Sequence, residues 1–577
     1  MSLGSAIQIA RSALATSQVG IQIAGNNMAN AATPGYTRQV ALLQGLPGQR
    51  SDPFRIGTGV GVAGVNRQID EALQRRLWNG ISGEHARAQQ ANILQQLESS
   101  LNELTGFDLS SELSGFFNGW SEASSLLESG AVVIEQGDKL AGFIRSLRDD
   151  MTRLRRQVET DIDNAVNRAD AILDEIATLN ATITSAEGGA GTANALRDQR
   201  DALVSELSTL VDVNVVEDPQ GNFDVLVGST PVVLAGTSRG IAVSRETDGD
   251  VETVSVVVEA NGDPLPVTGG KIGGLLASRD GAIDRAIADL DTAAAQLIFQ
   301  VNRLHSTGTD GVGLSTNTAD RQVIPGDRTL AFNDPENRTF ADLPFSAENG
   351  GFYITGTNCS PGACARVFVE VDLDGIDDTG VAGFGDDTTP EDLRAALDGV
   401  EGITASWTGD GKLRIDGDTG FTFSFEDDTS GALAVMGVNS FYQGTDAKTI
   451  GVRQDLIDSP ALLMLGRMED GAFIENGTAL AVAGLQDTEL DELGGRSISG
   501  SWRDAVQRVG VGTSSAITEA DAARVVRESL DAQRGAVSGV SIDEESINLL
   551  NYQRQFQAAA QLITAADELL QTLINLT

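Results

Sequence analysis

The feature that most restricts what this chain of 577 residues can become is a seven-residue apolar repeat at each of its ends. Near the start, Ile7, Leu14, Ile21 and Met28 recur every seven residues, and Leu3, Ala10, Ser17, Ala24 and Ala31 fill the positions three or four away. At the other end Ile542, Leu549, Phe556, Ile563 and Leu570 repeat in the same way, with Tyr552, Ala559, Ala566 and Leu573 as the second set. This is the a/d seam of a coiled coil, in which the side chains of one helix seat between those of another. Large residues lie mainly at one position of each pair and Ala or Ser at the other, so backbones can approach closely. One such helix is not self-sufficient. Ordering about 28 residues costs on the order of 1–2 kcal/mol each, whereas burying Leu3, Ile7, Leu14, Ile21 and Met28 returns roughly 1.5–3 kcal/mol apiece. Both ends are therefore expected to be weakly ordered alone and to become helical against each other and against neighbouring copies.

Charge narrows the class of partner. Forty Lys and Arg stand against 82 Asp and Glu, a net charge of −42, and a surface that acidic repels phosphate backbones and anionic lipid. Neither nucleic acid nor membrane is an expected partner. The apolar fraction of 41% is too high for a disordered acidic tail, and no apolar run approaches the ~20 residues of a membrane helix. The acidity is also segregated. Residues 1–51 contain no Asp or Glu, whereas residues 370–428 hold 17 acids against Arg394, Lys412 and Arg414. The N-terminus lacks a basic region followed by a continuous apolar stretch, so no cleavable signal peptide is expected.

The middle of the chain reads as an α+β, multidomain protein. From Leu140 to Ile183, apolar or small residues fall at steps of four and three with one extra four between 158 and 162, the pattern of a long helix with a stutter. Leu94, Leu97, Leu101 and Leu104 mark an earlier helix, Leu276 to Leu304 a later one, and Trp502 to about Arg534 a fourth. After the long helix, residues 193–236 change from helical period to strand alternation, with Pro219, Gln220, Gly221 and Asn222 as a hairpin turn. Residues 306–450 contain short β-branched and aromatic runs separated by Gly and Asp turns. The expected organisation is a terminal coiled coil (1–40 with 540–577), a long-helix stem (41–305, with a β-hairpin region at about 213–270), an inserted β-rich outer domain (306–450), and a return to the stem (451–539).

The first helix runs into GNNMANAATPGYTR, residues 25–38. Asn26, Asn27 and Asn30 can bond nearby backbone, and Thr33, Pro34, Gly35 and Tyr36 are turn chemistry, so the helix should stop near Ala32. This segment, with Arg38 and GTGVGVAGVNRQID at 57–70, resembles the N-terminal signature of the flagellar axial proteins of rod, hook and hook–filament junction. The paired LRDQRD at 196–201 with its hairpin, VNRLHSTGTDG at 301–311 and the stretch 538–576 are similar to the hook-associated protein 1 (FlgK) family. That resemblance implies a structural adaptor, a homo-oligomeric ring at the hook–filament junction with no catalysis. It also implies partners: other copies of itself, the hook protein, the other junction protein, and an export chaperone at the C-terminal helix. The expected location is the extracellular flagellum, reached without a cleavable signal peptide. Hook or distal rod protein is the nearest sister reading.

Motifs for chemistry are weak. Gly59 to Gly64 formally matches GxGxxG, but Val60, Val62 and Val65 alternate as a strand, which a dinucleotide fingerprint does not. No cofactor is expected. His85 and His305 lack a Ser or Cys neighbour and read as structural, His305 at a helix end where it caps carbonyls or favours the dipole. Cys359 and Cys364 have no further Cys or neighbouring His for zinc; they form either a local disulfide or two free thiols. Glu370, Asp372, Asp374, Asp377 and Asp378 alternate around Gly375, but Val381 stands where an EF-hand needs Glu. No metal site is assigned. An acidic calcium-dependent adhesin remains the alternative from another class.

Overall fold

The periodic segments fold as helices that end where the sequence withdraws support. In a computed structural model the structure describes residues 3–576 apart from 52–53, 102–107, 189–190, 249–250, 357–365, 377–379 and 470. The helices are α1 (Leu3–Ala29), α2 (Glu71–Leu101), α3 (Leu109–Ser125), α4 (Gly130–Glu187), α5 (Asn194–Leu210), α6 (Gly270–Ser278) and α7 (Asp284–Ser306). Short α8 (Pro390–Asp398), α9 (Ala432–Met436), α10 (Gln454–Asp458) and α11 (Gly477–Gly484) precede the long α12 (Ile498–Ser538) and α13 (Ile542–Leu576). Leu104 lies outside the described residues. The chain divides into two compact units, Met1–Leu94 with Gln157–Arg279 and Thr513–Thr577, and Gln95–Arg156 with Asp280–Gly512.

In the first unit, α4 buries Val158, Ile162, Ala165, Ala169, Ile172, Ile176 and Ile183, the stripe its stuttered period demands. A four-stranded antiparallel sheet in sequence order, Asn214–Glu217, Phe223–Val227, Thr230–Leu234 and Thr237–Ser238, lies beside it. Its first turn is closed by Asp218, whose carboxylate accepts from the amides of Gln220 and Asn222, and by Gly221 at φ +84°. Buried Asn180 of α4 ties helix to sheet: its side chain donates to the Phe223 carbonyl and accepts from the Phe223 amide and from Arg200. Leu73, Leu77 and Ile81 of α2 pack on Leu530 of α12.

In the second unit, segment 306–450 supplies two three-stranded antiparallel sheets. Ile403–Trp407 and Thr316–Gln322 flank Lys412–Gly417, and Arg366–Val371 and Phe423–Glu426 flank Gly350–Gly356. The core is aromatic: Phe116 and Trp120 of α3 meet His305, Phe441 and Tyr442, and Phe117 packs edge-on against Phe116, all essentially without exposure. Gly137 of α4 is required there, since a Cβ would sit 2.7 Å from the Phe441 ring.

Two expectations change. α1 stops at Ala29 rather than near Ala32, because Asn30 already folds back to bond Asn26. The helix expected from Leu276 to Leu304 is broken by a π-helical turn at Arg279–Ile283. Buried Arg279 there donates to Glu159 and to the Glu252 carbonyl, partners a regular turn would not reach together.

Candidate assembly site at the paired terminal helices

α1 and α13 lie against each other, and the residues that bring them together are the small ones. Ala10, Ser17, Gly20 and Ala24 of α1 and Ala559 and Ala566 of α13 are buried. At Gly20 the approach is closest: a Cβ would lie 2.6 Å from the Tyr552 ring. The large half of the seam is differently placed. Ile7, Leu14, Ile21, Met28, Leu549, Tyr552, Ile563 and Leu570 are only half-buried, and Phe556 is exposed. A neighbouring stripe on α13, which the heptad reading passed over, is open: Ile547 is 60%, Leu550 53%, Leu562 44% and Leu569 58% exposed. The signal for part of it was present, since Leu562 and Leu569 are themselves seven apart. Both ends are helices packed against each other, α1 and α13 supplying each other's small-residue seam.

The strand Val60–Arg67 packs on α1 and pairs antiparallel with Gln39–Gly45. The glycines at 59–64 thus form a backbone contact: Gly59, at φ +117°, leaves room for Ser12, whose hydroxyl accepts from the Val60 amide. The 26–36 motif closes α1 onto this ribbon. Buried Asn27 accepts from the Tyr36 hydroxyl and the Gln39 amide and donates to the Gln39 carbonyl. Asn26 donates to the Tyr36 oxygen, Asn30 accepts from Thr33, and Gly35 takes φ +78° after Pro34.

Carboxylates from two other segments then clamp the turn. The Thr37 amide donates to Asp198 of α5, and Arg67 pairs with Asp198 at 3.0 Å and Asp201 at 2.6 Å. Arg38 donates to Glu545 and Glu544 at the start of α13, and its amide to the Ser538 carbonyl at the end of α12. Burial opposes the charge on Arg67, but Asp201 and Asp198 outweigh it and raise its pKa. Burial, then Asp198 and Glu545, push the Tyr36 phenol up to about 12, so it stays a donor. On the next turn of α5, hydrogen bonding from Arg197 holds Glu187 down at about 2. LRDQRD is thus the socket that receives the Tyr36–Arg38 turn. No spacing rule could pair Thr37 with a residue 161 positions away.

Known flagellar proteins resemble this chain along its whole length. A family model described as the flagellar hook-associated protein FlgK helical domain matches residues 94–318, and one described as the flagellar basal body rod FlgEFG protein C-terminal matches 533–576. Over its full length the chain is 27% identical to flagellar hook-associated protein 1 of Salmonella typhimurium and 25% to that of Escherichia coli, with 100% of each chain covered. It is 24% identical to that of Bacillus subtilis, covering 99% of this chain and 97% of the relative. The chain belongs to the FlgK family. The solved structure of the flagellar hook junction protein FlgK from Burkholderia pseudomallei aligns with 80% of this chain and 100% of its own, with a TM-score of 0.48 and 16% identity. As a member of the FlgK family, the chain is a structural protein of the flagellum. The rod-type match covers α13 and the last residues of α12. Among the described residues no helix is long and apolar enough to cross a membrane.

The remaining candidates are scattered. His85 is exposed on α2. His305 is fully buried, its Nδ1 2.7 Å from the Asn439 carbonyl, and burial lowers its pKa to about 4. It is therefore neutral at pH 7 and cannot favour the helix dipole as expected. Asp372 and Asp374 meet Asp387, which comes from a later loop, with carboxylate oxygens within 4.8 Å. Glu370 faces solvent on its strand. Cys359, Cys364, Asp377 and Asp378 lie outside the described residues.

Proposed function

We propose that this chain is a structural adaptor that forms a homo-oligomeric ring at the hook–filament junction, with α1 and α13 of many copies packed as an inner coiled-coil layer. The observation behind this reading is the two-sided seam. Within one copy the small residues Ala10, Gly20, Ala24, Ala559 and Ala566 are covered, whereas Phe556, Ile547, Leu550, Leu562 and Leu569 are exposed. Large apolar residues left open on more than one face of a helix are what neighbouring helices would cover. The absence of acids from residues 1–51 lets many copies of that end lie side by side without mutual repulsion.

In this reading the hook protein lies on one side of the ring and the other junction protein on the opposite side. An export chaperone covers α13 before the chain leaves the cell. The acidic 306–450 segment forms the outer domain. A hook or distal rod protein is less favoured, because the rod-type match spans only 533–576 while the FlgK helical domain spans 94–318. The calcium-dependent adhesin has the Asp372, Asp374 and Asp387 group in its favour but leaves the terminal seam without a purpose. Deleting residues 1–30 or 541–577 is expected to abolish incorporation into flagella; a truncated chain that still incorporated would contradict the proposal.

A further inference from the structure

The second unit contains a half-open cavity of about 190 Å³, lined by Asp320, Arg321, Phe345, Lys412, Ser440 and Tyr442 among others. Its polar groups are under-used. Ser440 is fully buried, yet its hydroxyl has no hydrogen-bond partner. Arg321 spends only Nε, on the Val435 carbonyl, and makes no ion pair with a described carboxylate, although the chain has twice as many acids as bases. Lys412 reaches Asp320 only at 4.0 Å, and one Asp320 oxygen is buried and bare. A buried donor without an acceptor is costly and rare in native proteins; the Ser440 hydroxyl is one, and it shares the cavity with the partly exposed Arg321 and Lys412.

We propose that this cavity binds a small oxyanion, the carboxylate or phosphate group of a small molecule, held by Arg321, Lys412 and the Ser440 hydroxyl. Two cations face one carboxylate, so the cavity is electropositive inside a chain of net charge −42. An oxyanion supplies the acceptors that the guanidinium, the ammonium and the hydroxyl lack. Asp320 opposes an anion less than an exposed carboxylate would: burial raises its pKa, against the pull of Arg453 and Lys412. Burial also pulls Arg321 down to about 10, against the influence of Asp320, and a bound anion would relieve that penalty. The cavity is independent of the terminal seam, so its failure would leave the ring proposal untouched.

Calorimetric titration of the full chain, with sodium phosphate and separately with sodium acetate at constant ionic strength in chloride, tests this. The expected result is saturable one-site binding of at least one of the two, and whichever binds more tightly identifies the phosphate or carboxylate class. Lys412→Met and Ser440→Ala should each weaken it by about fivefold or more, and Arg321→Met should abolish it. Lys271→Met, in the other unit, should leave it unchanged. If Arg321→Met does not fold, Lys412→Met and Ser440→Ala with unaltered melting decide. No saturable heat up to about 20 mM of either anion, or binding indifferent to both variants, overturns the proposal, the cavity then holding water only.

Discussion

The aromatic core of the second unit and the paired terminal helices are both built from buried apolar seams, but one is closed and the other is open. Around Trp120, Phe116, Phe441 and Tyr442, large rings fill the space, the Phe441 and Tyr442 amides donate to Asn302 and the Tyr442 hydroxyl donates to the Gly137 carbonyl. Between α1 and α13 the small residues are inside, and large ones stand half or mostly outside. A closed core spends its apolar residues on the stability of one chain. An open seam holds them in reserve for contact with another.

Mutations can break or sharpen that contrast. Trp120→Ala should cost about 3–5 kcal/mol in urea denaturation, because the ring is fully enclosed and its cavity cannot collapse. Next comes pH. His305 has a pKa of about 4 when folded against a reference of 6.5, so the unfolded chain takes up a proton that the folded core refuses. Stability should therefore fall as pH drops from about 6.5 towards about 4, by up to roughly 1.4 kcal/mol per unit, and His305→Asn should flatten that slope. At the terminal seam, Gly20→Val drives a side chain into Tyr552 and should cost about 1–3 kcal/mol. The loss should be read as faster amide exchange along α1 and α13, with the aromatic core unaffected. Smallest of all, Leu562→Gln with Leu569→Gln should shift the melting of the free chain by no more than about 0.5 kcal/mol, because both side chains already face solvent.

Much of this was legible before any coordinates. The stutter between 158 and 162 marks a helix that is unbroken in α4, and Asp218 to Asn222 closes its hairpin as turn chemistry requires. The 26–36 motif is legible as a turn because its Asn, Pro and Gly act on their own neighbourhood. What was hidden is non-local. A heptad says which face of a helix is apolar, but not which partner covers each residue. Hence Gly20 against Tyr552, and the outward Leu562 and Leu569, had to be seen. The same holds for Asp198 meeting Thr37 and Arg67, for Asp387 joining Asp372 and Asp374, and for the π-turn at Arg279, whose partners lie on other segments.

The central claim is that the outward stripe of α13 exists for contact between copies. Sedimentation and electron microscopy of the Leu562→Glu, Leu569→Glu double variant, where the unaltered chain forms rings, test it most directly. The account predicts a folded chain with near-normal melting that stays monomeric. Rings formed as readily as by the unaltered chain would contradict it.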